Sequence, residues 1–96
     1  MRRKPNDEFT DFLFDAIVTL QTREECAMFF KDLCTIPEVK SMSQRLVVAK
    51  MLKDNMVYSE IVAKTGASTA TISRVNRSLN YGNDAYRTAF KRIDEK

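Results

Sequence analysis

The sequence predicts an all-α fold of five to six helices, on three observations. Apolar residues recur at spacings of three and four through successive windows, the period of a helix with one face turned inward. β-branched residues form no alternating run, so no segment reads as a strand. Only two Gly and two Pro interrupt 96 residues, which leaves few places where a helix must stop. Hydrophobic residues at 44 % and charged residues at 30 % belong to a folded, soluble chain and not to a disordered one. A chain this short makes one domain, taken as residues 7–96, with a modest core that a second copy can extend.

Each element follows from local chemistry. Residues 1–6 read as a flexible polar arm. Asp7 to about Leu20 reads as a first helix, with Phe9, Phe12, Leu13, Ala16, Ile17 and Leu20 on one stripe, and Phe14 and Val18 widening it. Asp7 and Glu8 suit the positive end of its dipole. A helix so apolar near a terminus reads as a dimer element. Thr22-Arg23-Glu24-Glu25 is a capping box that opens a second helix, in which Cys26, Phe29, Phe30 and Leu33 supply the buried face. Ile36-Pro37 ends it, and Pro37 with Glu38 starts a third segment over 38–54. Ser41-Met42-Ser43 marks a break within that segment, with Ser43 capping a fresh start. Leu46, Val47, Ala49, Lys50, Met51 and Leu52 make it central, and Asp54-Asn55 stops it.

The next stretch is the most informative. A short helix from about Tyr58 to Lys64 meets Gly66, which can adopt the left-handed conformation of a tight turn. Ser68 or Thr69 then caps a second helix that runs to Leu79 or Asn80. Tyr81-Gly82-Asn83 closes it. A last helix, about Asp84 to Ile93, carries Tyr86, Ala89, Phe90 and Ile93 on one face. Residues 58–79 are thus a helix-turn-helix, the unit whose second helix enters the major groove of double-stranded DNA.

That chemistry asks for particular residue types. Ile61, Thr65, Ile72, Val75 and Leu79 form the inward seam. The outward set is Ser59 and Lys64 on the first helix, with Ser68, Thr69, Ala70, Thr71, Ser73, Arg74, Asn76 and Arg77 on the second. Small residues let a helix sit deep in a groove, hydroxyls reach base edges and phosphates, and the free amides at Ser68-Thr69-Ala70 can hold a phosphate. Charge agrees with this placement. The whole chain carries +3, but residues 1–39 hold five basic and eight acidic residues, whereas residues 40–96 hold eleven basic and five acidic. The half with the motif is the half that attracts phosphates.

Other classes find little support. The chain has no histidine, hence no histidine base and no metal set with the two cysteines, and no glycine-rich phosphate loop. No catalytic residue, metal or cofactor is expected. Cys26 and Cys34, eight residues apart on one expected helix, are separated by a rise of roughly 12 Å and read as buried thiols, not a disulfide. No apolar run reaches the roughly 18 residues of a membrane span, and the N-terminus lacks the apolar stretch of a signal peptide. A cytoplasmic location is expected.

The segment Ser43–Leu79 resembles the DNA-binding core of the bacterial tryptophan repressor superfamily. The resemblance rests on Gly66-Ala67, Ala70-Thr71-Ile72-Ser73-Arg74, Asn76 and Ser78-Leu79, with the preceding helix Arg45-Leu46-Val47-Val48-Ala49-Lys50-Met51-Leu52. The whole chain, including TREECAMFFKDLCTIPEVKSMSQRL, looks like the Trp-repressor-related YerC/YecD group. The match covers about 70 of 96 residues. It implies an intertwined all-α homodimer with N-terminal helices from both chains in the core, and a near-palindromic operator with half-sites one helical turn apart. It also implies an effector pocket, on which Gln44, Arg45, Arg74 and Ser78 fall. Val75 stands where the family has a glycine, and its branched side chain fills the space an indole needs. Tryptophan is therefore not carried over, and another small effector stays open. The expected function is a sequence-specific DNA-binding transcriptional regulator, a repressor. The alternative is a protein-interaction module on the same fold without an operator.

Overall fold

The computed structural model describes residues 5–96, with side-chain surroundings from residue 7 onward. Among the described residues there are six helices and no strand: α1 (Pro5–Ile17), α2 (Arg23–Leu33), α3 (Ile36–Lys53), α4 (Tyr58–Thr65), α5 (Thr69–Tyr81) and α6 (Ala85–Asp94). The chain divides into two compact units, Met1–Ile36 and Pro37–Lys96.

The first unit holds α1 and α2. Residues 1–4 of the expected polar arm lie outside the described residues. Pro5 and Asn6, assigned to the same arm, instead open α1, where a proline's missing N–H costs nothing. The helix also stops at Ile17, three residues before Leu20. Thr19 turns the chain, its N–H and hydroxyl both donating to the Ala16 carbonyl (3.2 and 2.6 Å). The capping box of α2 forms as expected. The Glu25 N–H donates to Thr22 Oγ1 at 3.0 Å, and Glu25 Oε1 reaches back one residue further than expected, to the Gln21 N–H.

The end of α2 differs from the sequence reading. Cys34 is already extended (φ −112°, ψ 156°) and caps the helix three residues before Pro37. The two cysteines therefore do not share a helix. Both are free thiols, half-buried and not fully buried as expected. No described residue of this unit is buried: even Leu33, given to the inward face of α2, is exposed.

The second unit contains the core. Val48 and Ala49 of α3, Ile61 of α4, Ala67 of the turn, Ile72 and Val75 of α5 and Phe90 of α6 form one buried cluster, with Met51, Leu52, Met56 and Tyr86 packed against it. The α3 segment is one uninterrupted helix, which corrects the expected break at Ser41-Met42-Ser43. Ser43 does not cap anything. Its hydroxyl donates to the Val39 carbonyl one turn back (2.7 Å), and the Ser41 hydroxyl accepts from Arg45 (3.0 Å), so both are satisfied without leaving the helix. Val48, fully buried, was missing from the apolar residues singled out on this helix, whereas Leu46 and Val47, which were included, are exposed.

Asn55 stops α3 in the left-handed conformation (φ 64°). The Met56 N–H donates to the Met51 carbonyl and the Asn55 N–H to the Leu52 carbonyl, a Schellman closure that brings Met51 and Met56 to the same core. On α6, Phe90 is buried and stacks on Tyr86 with ring centroids 6.2 Å apart, but Ile93 and Ala89 of the expected inward face are exposed.

Candidate nucleic-acid interface

The turn between α4 and α5 is built from a few backbone contacts. Gly66 is left-handed (φ 73°, ψ 6°), and its N–H donates to the Val62 carbonyl. A Cβ on Gly66 would meet nothing within 4 Å, so glycine is needed there for its conformation and not for space. Thr65 fastens the corner. Its hydroxyl donates to the Ile61 carbonyl (2.7 Å) and accepts from the Ala67 N–H (3.1 Å). Its carbonyl accepts from Gln44 Nε2 of α3 at 3.1 Å, which ties the turn to the central helix. Ala67 is buried at the bend.

Ser68, and not Thr69, is the N-cap of α5, accepting from the Thr71 N–H at 3.1 Å. The seam forms as expected. Ile61 and Ile72 have no exposed surface, Val75 and Leu79 are buried, and Thr65 is half-buried. Burying Ile72, Val75 and Leu79 leaves Thr69, Ala70, Ser73, Arg74 and Arg77 on the exposed side of α5, as the helical period requires.

The other expected contact residues are placed as follows. Ser59 and Lys64 are exposed on α4. Thr71 is half-buried, and its hydroxyl accepts from Ser68 Oγ at 3.0 Å. Asn76 is half-buried, and both its backbone carbonyl (3.0 Å) and its Oδ1 (2.9 Å) accept from Asn80 Nδ2. Among the described residues, neither Arg74 nor Arg77 pairs with a carboxylate, so both guanidinium groups are available to an anion.

Of the four residues aligned with an effector pocket, Gln44 lines a groove between α3 and α4 with Val39, Lys40, Ser43, Val47, Met51, Lys64 and Thr65. Arg45 donates to the Ser41 hydroxyl within α3. Sequence reasoning missed two participants at the far end of α5, Asn80 and Arg87: Asn80 Oδ1 accepts from Arg87 Nη2 of α6 at 3.4 Å. Gly82, expected to close the helix, approaches Ser78 so closely that a Cβ would collide with the Ser78 carbonyl oxygen. The Asn80–Asn76 spacing of one turn was visible in the sequence, but the Arg87 contact across the Gly82 bend was not.

No group of three or more histidine, cysteine or carboxylate side chains that could hold a metal occurs among the described residues, and no helix there is long and apolar enough to cross a membrane.

Comparison with known proteins agrees with this geometry. The Bacillus subtilis (strain 168) protein YerC, itself uncharacterized, is 58 % identical over 85 residues, spanning 88 % of this chain and 82 % of its own. The crystal structure of a TrpR-like protein from Eubacterium eligens ATCC 27750 superposes with a TM-score of 0.87 at 55 % identity, covering 91 % of this chain and 90 % of that one. A candidate Trp repressor from Staphylococcus aureus gives 0.86 at 51 % identity over 98 % of both chains. The family model for the Trp repressor protein matches residues 8–94, nearly the whole chain. With its helix-turn-helix and all six helices inside or overlapping that match, the chain belongs to the Trp repressor family.

Proposed function

We propose that this protein is a sequence-specific DNA-binding transcriptional regulator, acting as a repressor in the cytoplasm, that reads a near-palindromic operator as a homodimer. The observation that carries the reading is the two-sided character of α5. Ile72, Val75 and Leu79 anchor one side, and the other offers small hydroxylated residues with two arginines that no described carboxylate neutralises. An α-helix with that profile fits the major groove, where Thr69, Ala70 and Ser73 meet base edges and Arg74 and Arg77 meet phosphates or guanine. Ser59, Lys64, Ser68, Thr71 and Asn76 flank this strip and complete the contact surface. Membership of the family supports the reading.

Dimerisation is supported by the first unit. Phe9, Phe12 and Val18 are 79 %, 76 % and 80 % exposed, far more aromatic and aliphatic surface than isolated exposed residues explain. A second copy would cover it, completing a single domain over residues 7–96 in each of two intertwined chains. No effector is assigned. Gln44, Arg45, Arg74 and Ser78 remain the residues to test for one, and buried Val75 argues against an indole.

The test is selection of bound fragments from a random DNA pool at two salt concentrations. An enriched palindrome with half-sites one helical turn apart is expected. Arg74→Ala should reduce the slope of log affinity against log salt by about 1. Salt-sensitive binding without an enriched sequence would replace the operator reading with an interaction module.

A further inference from the structure

A chain of hydrogen bonds crosses from α6 to the outer part of α5. Asp84 Oδ1 lies 3.7 Å from Arg87 Nε. Arg87 Nη2 donates to Asn80 Oδ1 at 3.4 Å, and Asn80 Nδ2 donates to both the carbonyl and the Oδ1 of Asn76. Its direction is dictated by chemistry. A guanidinium can only donate and a backbone carbonyl can only accept. Asn80, placed between the two, has only one orientation that satisfies both: its oxygen toward Arg87 and its NH2 toward Asn76. Asn76 must then turn its own oxygen inward to meet that NH2, leaving its Nδ2 as the outward group. Among the described residues no buried side-chain nitrogen or oxygen lacks a partner, so this nitrogen, with no partner among them, reaches solvent.

We propose that Arg87 and Asn80 are positioning residues that hold the Asn76 amide as a hydrogen-bond donor toward a phosphate oxygen of DNA. This rests on the DNA-binding reading above and goes beyond it. Reading adenine needs an amide that donates and accepts together, and the Asn76 oxygen is already engaged by Asn80. A phosphate only accepts. Asn76 also lies roughly 10 Å along the helix from Thr69, past the N-terminal residues that recognition helices present to bases.

The experiment is a double-mutant cycle of Asn76→Ala and Asn80→Ala, read as affinity for the duplex enriched from the random pool, with thermal unfolding as the check on folding. Asn76→Ala should weaken binding about tenfold, as expected for a lost hydrogen bond to a charged group. Asn80→Ala should weaken it several-fold in the wild-type background and have no further effect with Asn76→Ala. Asn80→Asp should behave in the same way: an aspartate still accepts from Arg87 but can no longer donate to Asn76. A purely structural role predicts the opposite, since that pair is strengthened. Any effect of the added charge on DNA persists in the Asn76→Ala background and is separated there. If Asn80→Ala does not fold, Arg87→Met read by the same cycle decides.

Independent, additive losses at Asn76 and Asn80 would overturn the proposal. So would an Asn76→Ala loss confined to one base position, because a phosphate contact must weaken all sequences alike. If the wild-type chain binds no DNA, both readings fail. If it binds while the cycle shows no coupling, only this one fails.

Discussion

Gly66 shows how much one residue can decide. Its left-handed backbone (φ 73°) sets the angle between α4 and α5, and the space around its missing Cβ is open. Gly66→Ala should therefore destabilise the protein by about 1–2 kcal/mol through backbone strain alone, measured by denaturant unfolding. A larger loss would mean that a hidden clash contributes. Gly82 is the converse. Its φ of −90° suits any residue, but a Cβ there would strike the Ser78 carbonyl. Both glycines were legible as turn residues, and only the tertiary structure separates a conformational need from a steric one. Ser43 makes the same point for a polar residue. In sequence Ser43, two residues after Ser41, reads as a cap, yet in the fold its hydroxyl donates to the Val39 carbonyl and the helix continues.

Among the elements, α4 and α5 start differently. Ser68 caps α5 with its side chain, whereas Val57 begins α4 with none. Val57 is exposed and its backbone is already extended (φ −76°, ψ 154°), the geometry a capping side chain needs. Val57→Asn should stabilise the protein by about 0.5–1 kcal/mol, detectable as a raised melting temperature; an unchanged one would show that the first turn of α4 is already satisfied. The caps and stops were the most legible features of this chain. Thr22 with Glu25, Asn55, Gly66 and Ser68 all act where their local chemistry places them. Helix ends without such a signal were misplaced. The expected stops at Leu20 and Pro37 fall at Ile17 and Leu33, because a backbone turn at Thr19 and an extended Cys34 end those helices without a marked residue.

At the scale of the whole molecule, the two units differ in kind. The second has a closed core of its own, while the first carries apolar side chains that nothing in the described chain buries. Its composition is also acidic, against the basic second unit. Covering each large side chain is worth about 2 kcal/mol, so the proposed dimer should depend on them. The 11.1 kDa chain should sediment at twice that mass. Phe9→Asp with Phe12→Asp should reduce it to a monomer and abolish operator binding. A wild-type chain that sediments as a monomer would contradict the dimer.

The sequence by itself determined the all-α class, a succession of five to six helices, the turn at Gly66 and the inward and outward faces of α5. These depend on interactions within four residues along the chain: a helical period, a cap, a left-handed glycine. Tertiary structure decided what depends on contacts far apart in sequence. Gln44 bonds the Thr65 carbonyl 21 residues away, and Arg87 reaches Asn80 across the bend at Gly82. It also decided that Val48 is buried while its neighbour Val47 is not, because α3 is apolar on several sides and only the packing of α4, α5 and α6 selects the side that faces the core.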